Sequence, residues 1–504
     1  MTLRPTAATW AALLVAVSVA ACVHNPPHAD GRPSAPAAPD TFWTPPKRAV
    51  THDVLPKSTI PPDIEERVAK LTLPDVIELG LLNNPQTKQS YAEARAAGAT
   101  IGAAYGHYLP QLTVGGTVER VGTTSAGISG NTTGGTIGAS GKGGSTHELV
   151  QPTATASWLL WDFSRSSSIE YAKEDAYAAS FTHNATVQSV VLAIEQAYCA
   201  YNAAKATRDG DIQSIKEDST NLVAAKERHD AGVATISDVL QAQATLSSEE
   251  LQLETDEGTV QTTRGELAVA VGFPANLPYD ITPEPPDVPI SGITDSVDSL
   301  VQVAVNSRPD LLSYRAQARQ AHANVGIIKG EGLPALTVGS TASHTHYVDG
   351  SAPDGSAYSG QVGISFPIFQ GFQNAYNVLQ AKELAKASDA NAEFQRDQVV
   401  YQVFTSFYNL RTATARVKSA NDLLTASQAS YDVAIGQYKQ GVGSILTVLT
   451  AQAALATARS QQSQSRWTWY SDLAQLSHDV GTLGLHGESQ IRLAPDSSKT
   501  PPPR

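Results

Sequence analysis

The sequence contains two copies of one pattern, and this duplication most limits the possible folds. Four pairs of motifs recur between the copies. They are Asn84-Pro85 with Arg308-Pro309, Leu109-Pro110 with Leu333-Pro334, Gly232-Val233 with Gly441-Val442, and Val239-Leu240 with Val448-Leu449. The offset is 224 residues for the first two pairs and 209 for the last two, so 15 residues of difference fall between them. A repeat of this length predicts one structural unit built twice in tandem.

Each copy has the same predicted order of elements. A first helix (about 72–107, then 296–331) ends near Leu-Pro, and a strand follows (about 111–123, then 335–348). After a turn-rich loop, a return strand (about 150–162, then 359–370) ends in an aromatic pair, Trp158 and Trp161 or Phe366 and Phe369. A very long helix, a break at Gly232 or Gly441, and a helix back to about 271 or 480 complete the copy.

The long helices exclude an ordinary compact domain. No Pro or Gly interrupts the chain from Ser166 to Gly210, and helical composition continues to His229. Small and apolar residues recur in steps of three and four, which is coiled-coil spacing. Sixty or so residues at about 1.5 Å each predict a rod of about 90–95 Å.

The four predicted strands cannot form a closed barrel by themselves. Their lengths fit strands that cross a membrane, which have roughly 9–11 residues, and an open sheet exposes edges that favour aggregation. A barrel shared between chains resolves this problem, with eight strands from two chains or twelve from three. The strand count alone does not choose between these assemblies.

Composition and charge narrow the functional class. The chain has 35 Lys and Arg against 48 Asp and Glu, a net charge of −13, which argues against nucleic-acid binding. The only cysteines are Cys22 and Cys199, so a disulfide scaffold is excluded. Cys199 lies on an apolar helix face, and we expect it to be a small buried hydrophobe.

The N-terminal segment has the pattern of a bacterial signal peptide. Ala7 to Ala20 is an uncharged run that is too short to span a membrane. It ends in Val19-Ala20-Ala21-Cys22, which resembles a lipobox and predicts lipidation of Cys22. The alternative is an ordinary signal peptide that contains Cys22 by chance. In bacterial lipoproteins, Asp after the lipidated cysteine favours retention in the inner membrane. This chain has Val23 at that position, which predicts the outer membrane.

The repeated motifs resemble those of one known family. They include Leu73-x-x-x-Ile77, the two Leu-Pro motifs, and Gly-Val-x-(Ser/Thr)-Ile-x-x-Val-Leu-x-Ala-Gln-x-x-Leu at 232–246 and 441–455. This pattern resembles the TolC-like outer-membrane efflux proteins over about 72–272 and 296–481, and the lipobox favours their lipoprotein, NodT-like branch. The resemblance implies a mixed α/β membrane protein: a long α-helical coiled-coil barrel joined to an antiparallel transmembrane β-barrel, which trimerisation completes with four strands per chain.

The resemblance also implies partners and site residues. A homotrimer in the outer membrane would extend into the periplasm and contact a periplasmic adaptor (membrane fusion) protein coupled to an inner-membrane pump. The predicted adaptor-facing tips are Gly232, Val233, Thr235, Ile236, Gly441, Val442, Gly443, Ser444 and Ile445. For Val233 and Val442 the alternative is that they only build a sharp turn. Family members often carry Asp at the tunnel gate, where this chain has Thr447 and Thr450; Asp238 is the copy-one candidate, with a solvated helix face as its alternative.

The predicted domain limits follow the repeat. They are a signal peptide (1–21), a lipid-anchored Pro-rich tether (22–62), repeat one (72–272), a linker or equatorial segment (273–295), repeat two (296–481) and a C-terminal tail (482–504). The expected function is that of a passive exit channel for small molecules such as drugs or metals. The alternatives are the outer-membrane channel of a type I protein secretion system and a periplasmic coiled-coil scaffold without a channel.

No motif for catalysis is found in the sequence. Gly141-Lys142-Gly143 lacks the other residues of a phosphate-binding loop, and no nucleophile lies beside an evident base. His344 and His346 would share one strand face, which is a possible metal site without a third ligand nearby. We therefore expect no enzyme activity, no cofactor and no resident metal.

Overall fold

The computed structural model describes residues 28–29, 32–33, 71–124, 144–282, 296–349 and 353–484. The chain divides into two compact units, Met1–Glu65 and Glu66–Arg504. In the first unit, the short strands β1 (His28–Ala29) and β2 (Arg32–Pro33) pair antiparallel within the predicted tether. Cys22, the loop motif at 141–143 and the tail from 485 onward lie outside the described residues.

The first helix of each copy is broken in two, which corrects the prediction of one continuous helix. Copy one has α1 (Leu73–Asn83) and α2 (Pro85–Gly106); copy two has α5 (Val297–Ser307) and α6 (Pro309–Glu331). The residues between them, Asn84 and Arg308, are extended, with ψ of 127° and 120°. Each precedes a proline, and the proline ring disfavours a helical conformation at the residue before it.

The long helices confirm the predicted rods. Helix α3 (Arg165–Asp230) has 66 residues and α7 (Gln373–Lys439) has 67, so each is about 100 Å long. A tight turn leads from each to a 36-residue return helix, α4 (Ile236–Val271) or α8 (Ile445–Val480). None of the helices among the described residues is long and apolar enough to cross a membrane.

One antiparallel sheet holds four strands in the order β3-β4-β5-β6. They are β3 (Gln111–Thr124), β4 (Gly144–Trp161), β5 (Ala335–Tyr347) and β6 (Gly355–Ser365). Strand β4 begins earlier than the predicted 150, because its pairing with β3 continues to Gly144. Strand β6 ends before Phe366 and Phe369, because Pro367 has no N–H to donate to a ladder.

The apolar core is a series of separate clusters along the helices. One cluster joins α5, α6, α7 and α8 around Leu311, Val403, Leu410 and Trp469. A second lies between α3 and α4 around Ala225 and Ala242, and a third lies beneath the second tip turn. The small and apolar side chains predicted for the coiled-coil seam are largely buried, so the helices pack side by side as a layer.

Candidate functional site

The two faces of the sheet differ in polarity. Directly opposed residues of antiparallel strands share a face, and the observed register therefore assigns each side chain to one side. The apolar face carries Leu112, Val114, Val118, Ala154, Ala156, Val338, Tyr358, Val362 and Ile364. The other face carries mostly small polar side chains, including Thr113, Thr117, Thr155, Ser157, Thr337, Thr341, Ser359 and Gln361.

Much of the apolar face is exposed in the described part of the chain. Val118 is 82% exposed and Val362 is 72% exposed, on the two outer strands of the sheet. Ser340, His344 and His346 share this face, but so large an exposed apolar surface is unusual for a protein in contact with water. Alternation between an apolar and a polar face is the pattern of strands that separate lipid from an aqueous lumen.

Aromatic side chains gather at the end of the sheet next to the helices. Trp158 and Trp161 lie at the end of β4, as predicted, and the Trp158 Nε1 donates a 2.9 Å hydrogen bond to the Tyr108 carbonyl. Trp161 packs edge-on against Phe163, and Phe369 packs against Phe372. Aromatic girdles of this kind mark the boundary between lipid and water.

The two tip turns have the same hydrogen bonding. Gly232 and Gly441 have φ of 75° and 79°, a left-handed conformation that glycine adopts at little cost. The N–H of Val233 donates to the Arg228 carbonyl at 2.9 Å, and that of Val442 donates to the Gln437 carbonyl at 3.1 Å. These bonds end each long helix at its glycine, as the sequence predicts.

Side-chain caps start the return helices. The Thr235 hydroxyl accepts from the Asp238 N–H at 3.3 Å, and the Asp238 carboxylate accepts from the Thr235 N–H at 2.9 Å. Ser444 caps α8 in the same way, accepting from the Thr447 N–H at 3.3 Å. The pair of bonds at Thr235 is a capping box, which gives Asp238 a structural role at this helix start.

The tips differ in which apolar side chains they expose. Val233 is 66% exposed, Val442 is 78% exposed and Ile236 is 57% exposed. Ile445 was predicted to face an adaptor, but it is only 3% exposed and packs in the cluster that contains Tyr431 and Tyr438. The reason is that α8 packs on the rest of the layer at its first turn, and Leu446 is exposed instead.

Thr447 and Thr450, the other predicted gate residues, hydrogen-bond locally. The Thr447 hydroxyl lies 2.9 Å from the Ser444 hydroxyl, and the Thr450 hydroxyl donates to the Leu446 carbonyl at 2.8 Å. A gating role for either residue, or for Asp238, stays a prediction.

A polar contact joins the two copies, and sequence reasoning missed it. Asn221 on α3 donates a hydrogen bond to Gln452 on α8, and the Gln452 Nε2 donates to the Ser214 carbonyl at 3.3 Å. Nearby, Arg459 forms an ion pair with Glu217 at 3.1 Å. The one sequence signal was Gln452, a polar residue within the apolar pattern of α8.

Buried carboxyl groups lie along α3 and its contact with α4. Burial raises the pKa of Asp218 to about 7, with further repulsion from Glu249 and Glu217. Burial, followed by the neighbouring Asp256, raises the pKa of Asp211 to about 7. Burial also raises the pKa of Glu195 to about 7. These three groups bind protons near neutral pH, which no motif in the sequence had indicated.

Each of the two histidines on β5, His344 and His346, forms a hydrogen bond with a polar side chain. The His344 Nδ1 lies 2.9 Å from the Ser356 hydroxyl, and the His346 Nδ1 lies 2.7 Å from Asp354. Among the described residues, no three His, Cys, Asp or Glu side chains come together in a geometry that could hold a metal ion.

Cys199 is a buried residue of α3, as expected. Its side chain is 7% exposed, and burial, followed by the charge of Glu195, raises the pKa of its thiol to about 12. A thiol with so high a pKa is a poor nucleophile at neutral pH.

Comparison with known proteins finds one family along both copies. The model of the outer membrane efflux protein family matches residues 76–273 and 300–482. Protein CyaE of Bordetella pertussis is 23% identical over 406 residues, covering 79% of this chain and 82% of the relative. The toluene efflux pump outer membrane protein TtgF of Pseudomonas putida is 25% identical over 338 residues, covering 65% of this chain and 67% of the relative.

The fold also matches a solved channel. The outer-membrane channel OprN has a TM-score of 0.69 at 19% identity, with 82% of this chain and 90% of that chain covered. The agreement includes the helical layer and the four-stranded sheet, so the predicted fold class is confirmed.

Proposed function

The chain belongs to the outer membrane efflux protein family, and we propose that it is the passive exit duct of a tripartite efflux pump. The observation that carries this proposal is the sheet with one apolar and one polar face and two unpaired edges. Lipid would contact the apolar face, while the Thr- and Ser-rich face would line an aqueous passage. The family consists of channel proteins rather than enzymes, and the duct would perform no chemistry.

The open edges support a ring of identical chains. Strand β3 is the first and β6 the last in the sheet, so each leaves one row of N–H and C=O groups without a partner in the described chain. In lipid, such groups must be satisfied, which requires a closed barrel. Pairing β6 of one chain with β3 of the next closes the barrel, and a homotrimer gives twelve strands.

The tips at the far ends of the long helices are the proposed contact with a periplasmic adaptor protein. Val233, Val442 and Ile236 expose apolar surface where the helix layer turns. Thr235 and Ser444, with Gly232, Gly441 and Gly443, build these turns, while the buried Ile445 supports them from below. Asp238, Thr447 and Thr450 lie in the first turns of the return helices, where we place the gate.

The proposed cargo is small molecules rather than folded proteins. The name of TtgF gives toluene as the compound that its pump exports, and a passive duct accepts whatever its pump delivers. A Thr- and Ser-lined passage offers neutral polar contacts that hold neither apolar nor charged cargo strongly.

The N-terminal organisation is also proposed. The signal segment 1–21 would be removed and Cys22 lipidated, with 22–62 as a lipid-anchored, Pro-rich tether to the outer membrane. Repeat one (72–272), the segment 273–295, repeat two (296–481) and the tail 482–504 would follow as separate regions.

Planar-bilayer recording with mass measurement tests this function. The full chain would be purified in detergent, its oligomer mass measured, and the same sample added to a bilayer. We expect a trimer with small, mostly closed currents, because the proposed gate at the tips would close the passage. A monomer that never inserts would contradict the duct and favour a non-channel scaffold.

A further inference from the structure

The coiled coil of copy one, formed by α3 and α4, carries acidic side chains in its seam. Steps of three and four residues mark the side of α4 that faces α3. They run through Val239, Ala242, Leu246, Glu249, Leu253, Asp256 and Val260, all of which are buried or half-buried. The facing side of α3 includes Asp211, Ser214, Asp218, Leu222 and Ala225. The seam is therefore apolar near the tip turn and acidic further from it.

The four acids of this seam form two layers. Asp211 lies beside Asp256, close enough for a hydrogen bond between the two carboxyl groups. Asp218 lies where the charge of Glu249 repels its own. The two layers are seven residues apart on each helix, which is one heptad of a coiled coil. One carboxyl group thus faces another twice in succession.

Two buried oxygens in these layers lack a hydrogen-bond donor. They are Oδ2 of Asp211 and Oδ1 of Asp218, to which no group of the described residues donates. Asp218 as a whole is only 2% exposed. A buried acceptor without a donor is costly, and an opposing carboxylate has no hydrogen to give. A proton held between two carboxyl groups supplies the missing donor and removes the repulsion between like charges.

No base in the described part of the chain compensates for these acids. None of the four lies within 4.0 Å of a Lys, Arg or His nitrogen, and Arg459, which α8 contributes, pairs with Glu217 at 3.1 Å. Glu217 itself adds repulsion at Asp218. From α7, Tyr431 faces the same region, and burial raises the pKa of its hydroxyl. The surroundings therefore favour a neutral carboxyl in each layer.

The layers hold their protons near neutral pH. Burial, followed by the hydrogen bond to Asp256, raises the pKa of Asp211 to about 7. Burial, followed by the charges of Glu249 and Glu217, raises the pKa of Asp218 to about 7. Burial also raises the pKa of Glu249. Each layer therefore keeps a proton below about pH 7 and loses it above that value.

Copy two has small neutral side chains at the equivalent positions. At the offset of 209 residues, the four acids correspond to Ala420, Ser427, Ala458 and Ser465. The first three are buried and Ser465 is half-buried, so these positions belong to the seam in copy two as well. The chain thus contains the same coiled coil twice, with titratable layers at these levels in copy one only.

We propose that Asp211, Asp218, Glu249 and Asp256 form a proton-dependent latch between α3 and α4. With one proton held in each layer, the two helices stay packed. When these protons pass to solvent, like charges push the middle of α4 away from α3. The apolar cluster around Ala225 and Ala242 holds one end of α4, and the buried Leu267 lies toward its other end. The latch lies within one chain, so it goes beyond the proposed duct and does not depend on it.

Distances between spin labels test the latch. The variant Thr220→Cys with Ser248→Cys places nitroxides at exposed positions of α3 and α4, beside the layer of Asp218 and Glu249. Cys199 is buried and should not be labelled. In detergent-purified full chain, with labelled chains diluted by unlabelled ones, we expect the distance to lengthen and its distribution to broaden from pH 6 to pH 9. The midpoint should lie near pH 7.

Copy two supplies the matched control for this measurement. The pair Ala429→Cys with Thr457→Cys occupies the equivalent exposed positions on α7 and α8. Because the seam beside it has no carboxyl layer, its distance should stay constant over the same pH range. A change of equal size in both copies would show a general loosening of the helices and overturn the latch.

Neutral variants test the role of the acids. In Asp211→Asn with Asp218→Asn, each amide can donate to the opposing carboxylate at any pH, so the distance should stay at its pH 6 value. Should this variant fold poorly, the copy-two side chains give the same comparison: Asp211→Ala, Asp218→Ser, Glu249→Ala and Asp256→Ser together. Glu250→Gln with Glu254→Gln changes two exposed acids of α4 outside the seam, and the pH response of the parent should remain.

The outcomes separate this inference from the proposed function. A pH response confined to copy one and absent from the neutral variants supports the latch. A distance in the parent that is the same at pH 6 and pH 9 overturns it, and so does a response that disappears when EDTA removes divalent cations. Normal channel currents with a constant distance overturn the latch alone, whereas a responding chain that never inserts into a bilayer overturns only the duct.

Discussion

Asn221 and Gln452, 231 residues apart in the sequence, form a buried side-chain hydrogen bond that joins the two copies of the repeat. Each is 2% exposed, and Gln452 also reaches the Ser214 carbonyl. If a buried amide loses its hydrogen-bond partner, the free-energy cost of removing it from water is no longer offset. The long helix of copy one and the return helix of copy two are therefore held in register by polar contacts as well as by packing.

Replacing Gln452 with alanine should destabilise the protein. The change leaves the Asn221 amide without its acceptor in a buried site and opens a small cavity, so we expect a loss of roughly 1–3 kcal/mol. Thermal unfolding of the detergent-purified protein measures it. Gln241→Ala, at an exposed position of α4, is the control, and an equal loss in both variants would contradict a special role for this contact.

The buried carboxyl groups of α3 predict a protein that becomes less stable as pH rises. The pKa of Asp218 is raised from 3.8 to about 7, so the folded state binds a proton that the unfolded state has already released between these values. The neutral carboxyl is favoured by folding, and its contribution is fully present below about pH 4 and lost as pH rises through about 7. Melting temperature measured from pH 5 to pH 8 should fall.

Asp218→Asn isolates this effect. The amide has nearly the same shape and no charge, so the variant should melt higher than the parent at pH 8 and show a flatter pH profile. Asp230→Asn, at an exposed position of the same helix, should keep the slope of the parent. A parent profile without any fall between pH 5 and pH 8 would show that the buried carboxyls do not control stability.

The exposed valines of the two tip turns predict that a mutation can abolish coupling to the pump without affecting assembly of the oligomer. Val233→Asp with Val442→Asp places charges on two exposed side chains that touch little within the chain, so folding and oligomer mass should not change. If these valines bind an adaptor, efflux of a toxic small molecule in cells should fall strongly, because an unpaired charge in an apolar contact costs several kcal/mol.

Ile445→Asp is the informative comparison for the tips. Because Ile445 is buried against Tyr431 and Tyr438, this change should lower the melting temperature and reduce the amount of folded protein. Normal efflux with the two exposed valines changed would assign those residues to turn formation only.

The sequence predicted the elements that depend on local patterns. Pro, Gly and the three-and-four spacing of apolar residues located the long helices, the tip turns at Gly232 and Gly441, and the four strands. The sequence-based prediction failed where contacts with residues distant in the sequence decide whether a side chain is buried. Ile236 and Ile445 occupy equivalent positions in equivalent motifs, yet only Ile445 is buried. Helix α8 packs against α3, whereas α4 has no contact with α7, the equivalent long helix, among the described residues. The pKa of Asp218 likewise depends on burial between helices, which its neighbours in sequence do not reveal.

The two faces of the sheet predict opposite responses to the same charge at adjacent residues. Val362 lies on the apolar face of β6 and Gln361 on the polar face. Val362→Arg would put a charge against lipid, at a cost of roughly 2–4 kcal/mol near the middle of the membrane and less near its surfaces. We expect this variant to assemble poorly into the outer membrane.

Gln361→Arg is the matched change, and its side chain would reach the aqueous passage. Membrane assembly should therefore continue, while the conductance and ion selectivity of single channels change. Heat-modifiable oligomer recovered from outer-membrane fractions measures assembly, and bilayer recording measures the passage. If Gln361→Arg blocked assembly and Val362→Arg did not, the lipid and lumen faces would have to be exchanged.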